Sequence, residues 1–181
     1  EVRQAIEMKR QDGSISLVAG DHQNVLEAIA QHYVSRKDAL KAEGPKPDGS
    51  FKTITMSALT NKDAADLSLA VRQVLQKRGD IGADQKIIKA IDQRGEEYDM
   101  ALAVGDKVRL YRRIWGRVGD KRTWVGNNGD ICEVLSASDK GLKLRLADGQ
   151  EAEVEWRRLS DLRSNRVLLG FGHAMTIDAA Q

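Results

Sequence analysis

Hydrophobic and polar positions follow two different rhythms along the chain. In "DHQNVLEAIAQHYVSRKDAL", Val25, Leu26, Ile29, Ala30 and Tyr33 recur at the three-and-four spacing of one buried helix face, and Asp21 or Asn24 is placed to cap its start. A second helix begins in "TNKDAADLSLAVRQVLQKRG" behind Thr60 or Asn61, turns Ala64, Leu67, Leu69, Val71 and Leu75 inward, and stops at Gly79. "EVRQAIEMKRQ" reads as the end of an earlier helix, while "SISLVAG" and "FKTITMSA" read as strands. Between these strands "EGPKPDGS", which holds both prolines, is a surface loop. Strands alternating with helices of this length predict right-handed crossovers and a parallel sheet.

From about residue 81 the period shortens. "MALAVGDKVRLYRRI", "GDICEVLSAS", "GLKLRLADG" and "QEAEVEWRRL" are strand-sized and are separated by Gly-Asp, Asn-Asn-Gly-Asp, Asp-Lys-Gly and Asp-Gly turns. This pattern predicts antiparallel hairpins and a small barrel of four or five strands. The closing "RVLLGFG" returns to a buried-strand composition, as if the chain rejoined its first sheet. No internal repeat is visible.

Composition narrows the class. With 181 residues, 41% hydrophobic and 31% charged, the chain is globular and has room for one domain or two small ones. Its apolar runs fall far short of the roughly 18 residues that argue for a membrane span, so no membrane insertion is expected and a bacterial cytoplasmic location is the default. The single Cys132 excludes an internal disulfide framework, and with only three His there is no zinc spacing. The first residue is Glu1, inside a helical pattern, so the chain reads as a piece of a longer protein.

Net charge is only +2, but it is unevenly spread. In "KVRLYRRIWGRVGDKRTW", Lys107, Arg109, Arg112, Arg113, Arg117, Lys121 and Arg122 face one acid, Asp120, with Tyr111, Trp115 and Trp124 interleaved. Cationic side chains mixed with aromatic faces suit single-stranded nucleic acid, and Trp115 and Trp124 are the candidate stacking platforms of a strand-loop-strand flanked by Arg112, Arg113, Lys121 and Arg122. The competing reading puts Lys107 and Arg109, with Arg112 as a further candidate, on the solvent face of a strand and Trp115 in a barrel core. "WRRL", residues 156–159, would extend the same basic surface.

No G-x-x-x-x-G-K-[ST] occurs, and no acid follows a strand in the manner of a Mg²⁺ site, so the chain by itself is not expected to be an enzyme or to hold a cofactor. Cys132 in "DICEV" reads as a small buried apolar residue rather than a nucleophile. His173 is either a ligand or base or, more ordinarily, a hydrogen-bonded structural residue.

The order of these segments resembles the carboxy-terminal motor half of RecD-like superfamily 1 helicases, nearest to the helicase regions of conjugative relaxases of the TraI and TrwC (MobF) group. The residues that carry the resemblance are "TN" opening an amphipathic helix, with Arg72 closing its first part "SALTNKDAADLSLAVR", then "AVGDKVRL", "GNNGDICEV", "LRLADGQE" and "GFGHAMTIDAAQ". It implies a RecA-like domain 2A in residues 1–80, an inserted SH3-like domain 2B in residues 81–164, and a return strand with motif V in residues 165–181. "SALTNKDAADLSLAVR" would then be motif IV, with Thr60, Asn61 and Arg72 among the nucleic-acid contacts, joined by Arg117 and by His173, Thr176, Asp178 and Gln181 of motif V. The chain departs from the family at Asp178, where a His is usual, and stops one residue short of the motif's Gly.

The resemblance further implies single-stranded DNA and the rest of a parent helicase-relaxase as partners, with ATP and Mg²⁺ used by the parent's other segments. It also implies an alternative role in plasmid transfer, as a translocation signal recognised by the coupling protein of a type IV secretion system, with passage into a recipient cell.

Overall fold

The computed structural model describes residues 2–16, 18–47, 52 and 54–176. Among the described residues, four helices and eleven strands follow in the order α1 (Val2–Gln11), α2 (His22–Ala42), β1 (Ser57–Ala58), α3 (Asn61–Arg78), β2 (Asp84–Ile91), β3 (Glu97–Ala103), β4 (Lys107–Leu110), β5 (Ile114–Val118), β6 (Lys121–Gly126), β7 (Ile131–Ala137), β8 (Gly141–Arg145), β9 (Glu151–Glu155), α4 (Trp156–Leu159), β10 (Leu169–Phe171) and β11 (Met175–Thr176). The architecture is mixed α/β.

Local signals place the long helices where the periodicity does. Asp21 caps α2 in a reciprocal box: its carboxylate accepts from the Asn24 amide at 3.0 Å, and the Asn24 side chain accepts from the Asp21 amide at 3.3 Å. Both candidate cap residues are therefore used. Thr60 caps α3 by accepting from the Asp63 amide, and Gly79 ends it in the left-handed conformation that a side chain disfavours. The buried stripe of α2 is Leu26, Ala30 and Val34, turned slightly from the expected face, so Ile29 is 38% exposed. In α3, Leu69 likewise faces out while Ala64, Leu67, Val71 and Leu75 are buried.

Helices α2 and α3 pack on each other and on β1, forming one apolar core that also takes in Ile81, Ala103 and Ala174. The second core lies in a seven-stranded antiparallel sheet of order β10-β4-β7-β8-β9-β5-β6. Its fully buried side chains include Met100, Leu102, Leu110, Ile114, Leu142, Leu144, Leu159 and Leu169. The expected turns stand at Gly105-Asp106, Asn127 to Asp130, Asp139 to Gly141 and Asp148-Gly149. The hairpin β2-β3 is a separate two-stranded ladder, anchored by a parallel bridge between Ala90 and Val167.

Three expectations need correction. Among the described residues, 14–20 form no strand, and parallel pairing of named strands is confined to β1 with β11, through Ser57 with Met175 and Ala58 with Thr176. The antiparallel sheet has seven strands rather than four or five. The closing apolar segment does not rejoin the first layer directly. Leu169–Phe171 pairs with β4 of the large sheet, and only the next strand, β11, reaches β1. A segment buried on both faces carries no alternation to say which sheet edge it completes; pairing with Val108 and Leu110 decides it here.

Candidate nucleic-acid interface

The hairpin β5-β6 closes through Gly119-Asp120 and pairs Trp115 with Trp124, Gly116 with Thr123, Arg117 with Arg122 and Val118 with Lys121. Side chains alternate along a strand, so Ile114 points into the core while Trp115 and Arg117 share the outer face. A one-residue register shift after Ile114 brings Trp124 and Arg122 onto that same outer face, while Val125 turns inward. The result is an indole pair, 44% and 45% exposed, beside a pair of directly opposed arginines. Like charges directly across a ladder destabilise it. On its other side Arg117 stands opposite Glu153 of β9, and exposed Asp120 approaches it to 3.8 Å.

This face borders an open groove of about 630 Å³. Trp115, Arg117 and Arg122 line one side, and Lys140, Arg157 and Arg158 the other. The second side is held by α4. The Trp156 indole donates to the Ser138 carbonyl at 2.9 Å and buried Leu159 anchors the turn, fixing where Arg157 and Arg158 emerge. Acids are also present: Asp120, Glu153 and Glu155 line the groove, Glu155 pairs with Arg157, and Glu151, outside the lining, neutralises Lys143 at 2.6 Å. Arg122, Lys140 and Arg158 make no ion pair among the described residues.

The remaining sequence candidates are dispersed. Arg112 is half-buried and donates to the Ser160 carbonyl at 3.0 Å, Arg113 is exposed beside it, and Lys121 sits at the hairpin tip. Thr60 is engaged in the α3 cap, where its hydroxyl donates to Asp63 at 2.7 Å. Asn61 lines a smaller cavity of about 160 Å³ with Arg109, Tyr98, Tyr111 and Phe171. Arg72 does not reach the surface. Its guanidinium donates to buried Asp106 and to Asp84, at 2.7 and 2.5 Å, and lies 5.1 Å from the Phe171 ring. Burial opposes its charge, but the bonds to the two carboxylates outweigh burial and hold its pKa above the ordinary value.

His173 is buried at 6% exposure. Thr176 pairs with Ala58 through β11, while Asp178 and Gln181 lie outside the described residues.

Residues that the sequence did not single out include Lys140, which reaches the groove from the β7-β8 turn, and Lys37, whose partners are distant in the chain. No local pattern marks either. Cys132 is buried, and burial pushes its thiol up to about 11, as suits an inert core position. Among the described residues no group of three or more His, Cys, Asp or Glu is placed to hold a metal ion, and no helix is long and apolar enough to cross a membrane.

No family model matches the chain, and no curated protein matches it in sequence. Among solved structures, it is similar to a chain from the structure of two coordinating Pif1 helicases unwinding forked double-stranded DNA, with 16% identity and a TM-score of 0.39. The similarity covers 91% of this chain, which spans 39% of that one.

Proposed function

We propose that this chain is a 2A and 2B portion of a superfamily 1 helicase region of the conjugative relaxase type, and that it holds single-stranded DNA without reading its sequence. The observation that carries the DNA contact is the outer face of β5-β6, with Trp115 opposite Trp124 and Arg117 opposite Arg122. Two half-exposed indoles offer faces on which any base can stack, and a phosphate between the arginines would relieve their mutual repulsion. Lys140, Arg157 and Arg158 continue the cationic track across the groove.

On this reading residues 1–80 begin the RecA-like domain 2A, residues 81–164 are the SH3-like insertion, and within residues 165–181 the chain returns to 2A with motif V only from β11 on, after Leu169–Phe171 has completed the large sheet. ATP and Mg²⁺ belong to the parent's other segments.

Fluorescence anisotropy of a labelled single-stranded oligonucleotide across a salt series tests the DNA contact. Each neutralised phosphate is expected to contribute about −0.7 to the slope of log affinity against log salt. Absence of binding at low salt would sink the reading.

The seven-stranded sheet has its own apolar core, which suits a second role in the parent, as the unit recognised by a secretion coupling protein. Deleting residues 81–164 from the parent, together with Arg72→Met because the deletion removes both carboxylate partners of that buried arginine, is then expected to abolish transfer while leaving unwinding intact. Transfer that survives the deletion rejects that role.

A further inference from the structure

A separate cavity of about 250 Å³ lies where α2 meets the large sheet. Lys37 and Tyr33 reach it from α2, Lys52 from the segment before β1, Lys107 from β4, and His173 from the link between β10 and β11. Ile54 precedes β1 and His173 precedes β11, so the cavity sits at the amino-terminal edge of the parallel pair. Thr60, by contrast, follows β1 at the opposite edge. In the sheet order, β4 and β5 are separated by β7, β8 and β9, which sets this cavity apart from the hairpin groove.

Lys37 makes no ion pair among the described residues; burial and then Lys107 pull its ammonium below the ordinary value, against the opposing charges of Asp38 and Asp80. Lys107 is paired with Glu133 at 2.8 Å, but Glu133 also serves Arg145 at 3.3 Å. Lys52 is paired with Glu43 at the rim.

His173 Nε2 is buried and has no hydrogen-bond partner among the described residues. The backbone that carries the ring is held on both sides: the Gly172 amide donates to the Lys107 carbonyl and the Ala174 amide to the Ser68 hydroxyl, each at 2.8 Å. Burial first, then the charges of Lys37, Lys107 and Arg72, lower its pKa to about 3, so the imidazole is neutral. A neutral ring with an unused buried nitrogen, in a cavity whose lining among the described residues holds Lys37, Lys52 and Lys107 and no carboxylate, is the complement of a small oxyanion. Such a ligand would accept the unused hydrogen bond and offset the crowded positive charge.

We propose that this cavity binds a phosphate group, with Lys37, Lys52 and Lys107 neutralising the anion and His173 Nε2 donating a hydrogen bond to it. Free phosphate and a phosphate of a nucleic-acid strand share this chemistry. Two arms distinguish them: titration with inorganic phosphate at constant ionic strength, and titration with a short single-stranded oligonucleotide. Both are read through the His173 ring signals in a ¹H–¹⁵N NMR spectrum.

A saturable shift with inorganic phosphate, absent with chloride, identifies a site for free or terminal phosphate. A saturable shift with the oligonucleotide alone identifies a strand phosphate. In either case Lys37→Gln and Lys107→Gln, at partly exposed positions, are expected to weaken binding by about tenfold or more, the loss typical of one charged hydrogen-bond donor. Trp124→Ala should leave the inorganic phosphate response unchanged, so failure of the hairpin reading does not bear on this one. No saturable His173 shift in either arm, or a shift that both lysine variants leave intact, would overturn the proposal.

Discussion

Arg72 and Asp106 form an ion pair buried at both ends, with Nε to Oδ1 at 2.7 Å and side-chain exposures of 5% and 0%. Arg72 rises from α3, in the helical core, and Asp106 lies in the turn between β3 and β4, in the sheet. The carboxylate also accepts from the Ala103 amide at 2.7 Å, and the Asp106 carbonyl accepts from Val134 at 2.8 Å. Burial pushes the Asp106 carboxyl up, against the pull of Arg72 and the amide. One residue therefore couples the two cores.

Asp106→Ala should thus be costly, at about 3–5 kcal/mol, because it strands a buried guanidinium. Asp84→Ala removes the other Arg72 partner, which is 44% exposed, and should cost about 1 kcal/mol or less after solvent screening. Urea denaturation of the two variants checks this. Equal losses would mean that the buried pair is not the joint between the layers.

His173 should make the fold acid-sensitive before its carboxylates do. The charges acting on it are Lys37 of α2, Lys107 of β4 and Arg72 of α3, and Tyr33 and Lys52 also line its cavity. Its folded pKa is lowered to about 3 from an unfolded value of 6.5, so in that window the unfolded chain takes up a proton that the folded chain refuses. This contribution to stability is complete above pH 6.5 and is lost as pH falls, by up to about 1.4 kcal/mol per pH unit. Denaturation at several pH values between 6.5 and 5 is expected to show a shallower slope for His173→Gln than for the parent chain. Identical slopes would contradict the assignment.

On the hairpin, Trp124→Ala should weaken single-strand binding by about 1–3 kcal/mol while leaving the melting temperature nearly unchanged, since the indole is half exposed. Arg117→Ala and Arg122→Ala should each reduce the magnitude of the salt slope by about 0.7. A variant that lowers affinity without changing the slope would show that its arginine touches no phosphate.

Gly141 marks a close strand crossing. A Cβ there would stand 2.1 Å from the Val154 carbonyl oxygen and 2.8 Å from the Glu155 Cα, both backbone atoms that cannot step aside. Gly141→Ala is expected to cost about 2–3 kcal/mol. Gly149→Ala, with open space but φ at 85°, should cost about 1 kcal/mol. Thermal melts of both would rank them, and a reversed order would show that β8 and β9 separate easily.

Much of the local structure was legible in the chain. The Asp21 and Thr60 caps, the Gly79 stop and the turns at Gly105, Gly129 and Gly149 depend on residues within a few positions of one another. The basic, Trp-bearing stretch of residues 107–124 was visible as a candidate surface, and part of it became one. What failed was partner choice. Arg72 was expected to contact nucleic acid, but Asp84 and Asp106 draw it inward from 12 and 34 residues away. Arg112 bonds to the Ser160 carbonyl instead of joining Arg117 in the groove.

By itself the sequence determined where helices begin and end, where strands turn, and that positive charge and indoles cluster near the middle, because each of these rests on short-range sterics and hydrogen bonding. Only the tertiary structure decided that Trp115 faces Trp124, that Leu169–Phe171 completes the large sheet, and that Lys37, Lys107 and His173 close on one cavity. Those outcomes depend on strand register and on which buried groups find partners, and burial is shared among residues far apart in the chain, where no local pattern reaches.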